Sequence, residues 1–419
     1  MVTSPCIPIA PEAAADATTA LQQSAQALPQ YLRAGTLQLA SLPPLSLYVH
    51  LPWCLKKCPY CDFNSHAWRE DGALPEQAYL AALRADLDAA LPLIWGRRVH
   101  SVFLGGGTPS LFSPDAIDQL LADIRARVPL GPDAEITLEA NPGTFERDRF
   151  AAFAQAGVNR LSIGVQSFDD AKLQALGRVH DARQAHAAVD EAARHFASFN
   201  LDLMFALPQQ DMMGCEADVR AALAHQPPHL SLYQLTLEPN TLFARQPPPL
   251  PDDDLGADMQ QAVAEWAEAA GLQRYEVSAY AAPGHRCQHN LNYWQFGDYL
   301  GIGAGAHSKI SFAHRIVRQT RWRHPQRYME QADRGAAVET QTEVARRDLP
   351  FEFMLNALRL REGVPIGLYA QRTGMPESSI ARAVQTAQAK GLLHPNPDHL
   401  QTTPLGFLML NDVLKGFLP

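Results

Sequence analysis

Hydrophobic alternation begins at Leu45. Leu45, Leu47, Val49 and Leu51 alternate with Ser46, Tyr48 and His50, the period of two that marks a half-buried strand. Strand-like and helix-like patterns then take turns. Further strands are expected over 102–104, 136–140, 160–165, 201–206 and 230–237, with another over 275–280. Helical spacing separates them around 148–156, 181–197, 216–225 and 255–270. The clearest helix start is Ser113, an N-cap with Pro114 at the first helical position, ahead of Ile117, Leu120, Leu121, Ile124 and Val128 on one face. Repeated β-α units require a parallel sheet with right-handed crossovers. An α/β fold built on a parallel β/α barrel or partial barrel fits this pattern over residues 44–285, with function expected at the C-terminal ends of the strands.

Outside that span the pattern changes. Residues 1–43 are rich in Ala, Gln, Ser, Thr and Pro without strand alternation, and are expected to form a poorly ordered tail with at most a weak helix over 11–28. Residues 286–345 form a connecting region rich in Gly and aromatics. Over 346–419 an amphipathic helix (350–360), helices over 366–373 and 376–391 and a β-like tail over 392–402 suggest a helix-turn-helix with a wing, an α+β winged-helix-like domain.

Composition narrows the function classes. Hydrophobic residues make up 47% and charged residues 19% of the 419, ordinary for a globular chain with a sizeable core. A formal net charge of −9 argues against nucleic-acid binding, which needs clustered Lys and Arg. Arg372, Arg382 and Lys390 would serve a DNA-binding regulator, but Glu377 and Asp398 dilute that patch, so a lid or partner surface is the better reading. No apolar run is long enough to cross a bilayer, and the N-terminus shows neither a secretory nor a mitochondrial signal. Six cysteines are too few for a disulfide scaffold; three of them crowd into one loop, which suggests a metal site in a reducing cytoplasm.

That loop is Cys54-Leu55-Lys56-Lys57-Cys58-Pro59-Tyr60-Cys61, directly after the first strand. Thiolates are the ligands of iron–sulfur clusters, and three of them leave one iron of a cubane open for chemistry. Lys56 and Lys57 would favour the thiolates and offset cluster charge. A closed zinc site with His50 or His66 as fourth ligand is the alternative.

A Cys-x3-Cys-x2-Cys loop with an aromatic before its last cysteine, behind a first barrel strand, resembles the radical S-adenosylmethionine (SAM) superfamily. The resemblance implies a 4Fe-4S cluster on Cys54, Cys58 and Cys61 whose open iron is chelated by SAM, and one-electron cleavage of the sulfonium. Gly105-Gly106-Gly107-Thr108-Pro109, at the second strand end, resembles the turn that meets the SAM amino group, and glycines there permit close backbone approach. Polar residues mark later strand ends: Glu139, Gln166 and Asp202, with Arg178 beyond. Together they match the coproporphyrinogen III dehydrogenase-like branch of the superfamily, over the chain from about residue 45 onward. By that resemblance Tyr48, Gly106, Gly107, Thr108, Glu139, Gln166, Arg178 and Asp202 contact SAM, and Tyr60 faces its adenine.

Two features place the chain within the branch. Phe63 stands where the dehydrogenases carry a further cysteine, and His289-Asn290-Leu291-Asn292-Tyr293-Trp294 is a His-Asn-x-x-Tyr-Trp segment. Both resemble the branch's heme chaperones. The resemblance implies heme bound through His289, with Asn290, Tyr293 and Trp294 in the motif, and delivery to an acceptor hemoprotein such as a membrane-bound respiratory cytochrome. Imidazole can ligate heme iron, and Tyr293 and Trp294 offer flat faces to a porphyrin. Cys287 and His307 are further candidate contacts, and the glycine run 301–305 is expected to pack backbone beside the cofactor site. Oxygen-independent coproporphyrinogen III dehydrogenation stays open as the alternative function, and catalytic residues are unassigned. A homodimer, SAM cleavage, covalent heme attachment and peripheral membrane association of a cytoplasmic protein also stay open, although no Cys-x-x-Cys-His segment is present.

Overall fold

The computed structural model describes residues 29–68, 72–94 and 96–419, so the weak helix expected over 11–28 lies outside the described residues. Strands β1 (Leu45–Leu51), β2 (Val99–Gly106), β3 (Leu130–Ala140), β4 (Arg160–Gln166), β5 (Ser198–Phe205) and β6 (His229–Gln234) pair in parallel, in chain order. Helices α1 (Glu76–Ile94), α2 (Pro114–Arg127), α3 (Phe150–Ala156), α4 (Ala182–His195) and α5 (Met212–Ala224) make the crossovers, and α6 (Asp253–Ala269) follows β6. Ser113 caps α2 as expected, its hydroxyl accepting from the Ala116 N–H at 3.2 Å.

The strands are covered on both faces, which is why β4 buries Leu161, Ile163 and Val165 completely. The same burial corrects the expectation for β1. Ser46 and His50 are enclosed as well, and Ser46 is satisfied by the Ser101 hydroxyl at 2.7 Å.

Both edges depart from the expected pattern. On β6 the stretch expected as one strand is an antiparallel pair, β7 (Gln273–Arg274) and β8 (Ala279–Ala281). On the other edge β9 (Asp298–Ile302) runs parallel to β1, and β10 (His307–Phe312), β11 (Arg315–Arg321) and β12 (Val338–Glu343) continue antiparallel. Among the described residues these twelve strands make one sheet in the order β12-β11-β10-β9-β1-β2-β3-β4-β5-β6-β8-β7. Residues 286–345, with α7 (Gln288–Trp294) and α8 (Pro325–Ala332), therefore extend the sheet instead of merely connecting two domains.

The extension is tied to the parallel part by a buried hub. Asp86 of α1 accepts from Arg321 Nη2 at 3.2 Å, Tyr328 hydroxyl at 2.9 Å and the Gly303 N–H at 3.3 Å. Tyr79, two turns earlier, accepts from the Ala304 N–H and donates to the His50 carbonyl, each at 2.8 Å.

The C-terminal domain packs α9 (Leu349–Ala357), α10 (Gly367–Thr373) and α11 (Ala381–Ala389) beside the antiparallel pair Val364–Pro365 and His399–Leu400, the winged-helix-like order expected. Arg372 is half-buried with an unpartnered Nε, so the three basic residues do not form one exposed patch. Residues 29–43 correct a further expectation. Leu37 and Leu39 are buried in this domain's core, and their N–H groups donate to the His314 and Ala313 carbonyls at 3.3 and 2.9 Å. Tyr31 stacks on Phe312 at 4.7 Å, so the segment has enough apolar contact to be held as a strap. No helix among the described residues is long and apolar enough to cross a membrane.

Candidate functional site

The three-cysteine loop is held from several sides. Trp53–Cys54 pairs in parallel with His66–Ala67, and the Lys57 ammonium donates to the Phe63 and Ser65 carbonyls at 3.1 and 3.3 Å. The glycine turn closes over it: the Gly107 N–H reaches the Leu51 carbonyl at 2.8 Å and the Thr108 N–H the Trp53 carbonyl at 2.7 Å. Space explains the glycines. A Cβ at Gly106, whose φ is +118°, would lie 2.5 Å from the His50 ring, and one at Gly107 would meet the Trp53 carbonyl at 2.6 Å. The expected glycine run beside the site behaves alike, with Gly303 against His50 and Gly305 against Asn64.

Cys54, Cys58 and Cys61 are half-buried free thiols. Burial pushes the Cys54 thiol up to about 11; a hydrogen bond with Thr108 opposes this, and neighbouring Cys61 and Cys58 reinforce it. Zinc fits poorly, because a tetrahedral ion at thiolate distances brings its ligands within roughly 4 Å of one another. Among the described residues only Glu135, Cys287 and His289 gather three such ligand atoms within 4.8 Å, so the loop sulfurs stand wider apart. Of the two candidate fourth ligands His50 is spent, with Nδ1 at 2.8 Å from the Tyr48 hydroxyl and Nε2 at 2.9 Å from the Asn64 carbonyl, whereas His66 keeps a buried Nε2 without a partner. Wider spacing suits thiolates on three separate irons of a cubane.

Above the loop the ends of β2 to β6 curl around a cavity of about 390 Å³. Tyr60, Gly106, Gly107, Thr108, Glu139, Gln166, Arg178 and Asp202 all line it, together with the three cysteines. The donors present fit an amino acid with a sulfonium. Burial and then Asp202 push the Glu139 carboxyl up to about 7, against the Gly106 N–H and His289, so two recessed acids lie near one another. Arg178 holds Asn141 Oδ1 at 2.5 Å and the Gly164 carbonyl at 2.8 Å, lies 3.6 Å from the Cys58 sulfur, and keeps a shielded Nε without a partner. Gln166 carries a left-handed backbone, φ 68°, at the end of β4, the kind of strain stored at binding sites. Asn141, Ser162 and Tyr233 also line the cavity. Asn141, adjacent to the Glu139 strand end, was the readable signal among these.

Tyr48 does not line this cavity. It faces a neighbouring one of about 540 Å³, which shares only Asp62, Phe63, Gly106 and Glu139 with the first. The second cavity is walled by the aromatic rings of Tyr48, Phe103, Tyr293, Trp294, Phe296 and Tyr299 and by the cationic side chains of Lys309, Arg318 and Arg323. Spacing along the chain gave no sign of this assembly, because its walls come from β1, β2, α7 and the β9–β11 edge.

The His-Asn-x-x-Tyr-Trp segment is thus divided. Tyr293 and Trp294 face the second cavity, whereas His289 lines neither and is buried, stacked on Phe103 at 4.2 Å. Asn290 makes its contact with the Tyr275 hydroxyl instead. His289 Nδ1 lies 3.1 Å from Glu135 Oε1 and 3.1 Å from the Cys287 sulfur, and Glu135 also accepts the Gln288 and His289 N–H groups at the start of α7. Burial pushes the imidazole down, but Cys287 and Glu135 together outweigh it and lift it to about 9. Glu135 is pushed up by burial and held down more strongly by His289, to about 2.

A raised histidine pKa fixes the sign of a pH effect. The imidazolium's contribution to stability is complete below the unfolded value of 6.5 and is lost as pH rises through about 9. Urea unfolding between those limits should therefore show declining stability, with a flatter profile in His289→Gln. Equal slopes in the two proteins would mean that His289 is neutral in the fold.

Two family descriptions match the chain: the Radical SAM superfamily over residues 48–220 and the HemN C-terminal domain over 344–409. The Heme chaperone HemW of Escherichia coli is 50% identical, across 91% of this chain and 100% of that protein. Its counterpart of the same name in Haemophilus influenzae is 47% identical, across 91% and 99%. Among solved structures, the E. coli coproporphyrinogen III oxidase HemN, a radical SAM enzyme, superposes with a TM-score of 0.77 at 24% identity, covering 94% of this chain and 93% of that one. At that identity the likeness is one of fold.

Proposed function

The chain belongs to the HemW family of heme chaperones within the radical SAM superfamily, and from that premise we propose that it takes up heme beside a SAM-bearing 4Fe-4S cluster and passes it to an acceptor hemoprotein. The observation that carries the proposal is the aromatic, cationic second cavity adjoining the SAM cavity. Its volume of about 540 Å³ lies within the roughly 300–1,000 Å³ of sites that enclose organic ligands. Flat rings suit a porphyrin, and Arg and Lys suit its propionates.

Cys54, Cys58 and Cys61 would hold the cluster, and Gly106, Gly107, Thr108, Glu139, Gln166, Arg178 and Asp202 would hold SAM, with Tyr60 beside the adenine. When bound, the pair supplies one-electron chemistry at an open iron. The chain's own part is positional. Arg178 bridges Cys58 to the β4 end, Glu139 offers negative charge to a cationic ligand, and Phe63 stands in the passage between the cavities. Tyr48 braces His50 and helps wall the heme cavity. Ligation of heme iron by His289 would require its release from Glu135 and Phe103.

The test is transfer. Protein reconstituted anaerobically with cluster and SAM is loaded with heme and mixed with a heme-free respiratory cytochrome. Growth of the cytochrome spectrum faster than from free heme is the expected outcome. Conversion of coproporphyrinogen III with release of carbon dioxide, and no transfer, would replace carriage with the dehydrogenase reaction.

A further inference from the structure

We infer that His307 is the side chain that ligates heme iron in the second cavity, an assignment that rests on the heme-carrying reading above. Two histidines line that cavity, His50 and His307. Both nitrogens of His50 are engaged, and burial pushes its imidazole down to about 4. His307 is exposed to the cavity, and its ring makes no hydrogen bond among the described residues. Iron coordination needs such a nitrogen: neutral, accessible and not already committed.

Strand register puts the ring among suitable partners. His307 and Lys309 share one face of β10, and across the ladder they oppose Thr320 and Arg318 of β11. Burial, and then the positive charges of Arg318, Arg323 and Arg321, keep the His307 imidazole below the usual range, so it stays neutral at physiological pH. Arg321 and Lys309 are spent, on Asp86 and Asp298. Arg318 is paired with Glu352 at 2.6 Å, whereas Arg323 lies exposed without an ion pair among the described residues. An axial nitrogen and an unspent guanidinium on one aromatic-walled cavity match the iron and a carboxylate of heme.

The deciding experiment titrates heme into anaerobically reconstituted wild type, His307→Ala, His307→Met and His289→Ala, reading the Soret band and the ferric EPR signal. Iron content and circular dichroism verify each fold. His307→Ala is expected to weaken heme by at least the roughly tenfold that even outer partners of metal ligands are worth, and to shift both spectra. Added imidazole should restore them, and His307→Met should give a third, distinct signature. Unchanged spectra in both His307 variants, or a shift confined to His289→Ala, overturn the assignment while leaving heme carriage intact. Failure of the wild type to bind heme overturns the carrier reading itself, and the assignment with it.

Discussion

Cys58→Ser is expected to lose the reconstituted cluster, its iron falling to background with the visible absorption, while the fold survives. Cys58 is one of the three proposed ligands, and among the described residues no other cysteine can replace it, because Cys215 and Cys287 are buried elsewhere. The sulfur also meets Arg178 Nη1, so its removal takes one contact from a guanidinium that Asn141 and the Gly164 carbonyl still hold. Loss of a direct ligand should exceed the roughly 10–100-fold that outer partners contribute to metal affinity. Survival of the fold follows from the loop's other anchors. The Trp53–Cys54 pairing, the Lys57 bonds and the Asn64 amide, which donates to the Ala304 and Arg323 carbonyls at 3.0 and 2.9 Å, do not involve Cys58. Iron analysis and a melting curve decide it. Retained iron would show that the cysteines do not carry the cluster, and a collapsed melting point would make the loop a folding element.

Asp86→Ala should cost about 3–5 kcal/mol in urea unfolding, because it strands a buried guanidinium. The side chains of Asp86 and Arg321 are only 2% and 1% exposed. Arg321 Nη1 keeps Ser308 and Gln319 at 2.8 and 3.1 Å, but Nε and Nη2 lose their acceptor, as does the Tyr328 hydroxyl, and the Gly303 N–H is left with Tyr328 alone, at 3.1 Å. Asp86→Asn, which retains an acceptor, should cost less. If alanine were no worse than asparagine, water would have to reach Arg321 and the hub would not be closed. The effect extends to the site, since Gly303 packs on the backbone of His50.

The parallel half of the fold was readable because strands buried on both faces leave apolar runs bounded by turns. The antiparallel edge was not, since β11 carries Arg315, Arg318 and Arg321 and β12 is polar after Val338. α1 escaped notice although Leu80, Leu83 and Leu87 mark its apolar stripe; buried Asp86 and internal Pro92 blur that stripe. The polar residues of the first cavity are legible as interruptions of apolar strands, Glu139 and Gln166 at strand ends and Asp202 mid-strand in β5. Tyr48, which only the resemblance puts with them, sits mid-strand in β1 and faces the neighbouring cavity. His289 was read from its motif alone, and no local pattern shows that Glu135, far away in sequence, claims its nitrogen.

The strap of residues 29–43 ties the beginning of the chain to its end. The Gln38 N–H bonds the Gly374 carbonyl, and Leu37 and Leu39 complete a core whose other members are mostly made last. During synthesis these two leucines leave the ribosome early and have nothing to cover them until the C-terminal helices arrive. Closing so long a loop carries an entropic cost that only the finished chain can offset, which makes this the slow, late step of folding and its most aggregation-exposed interval. A ribosome stalled before α9 would hold a nearly complete sheet with an unfilled seam.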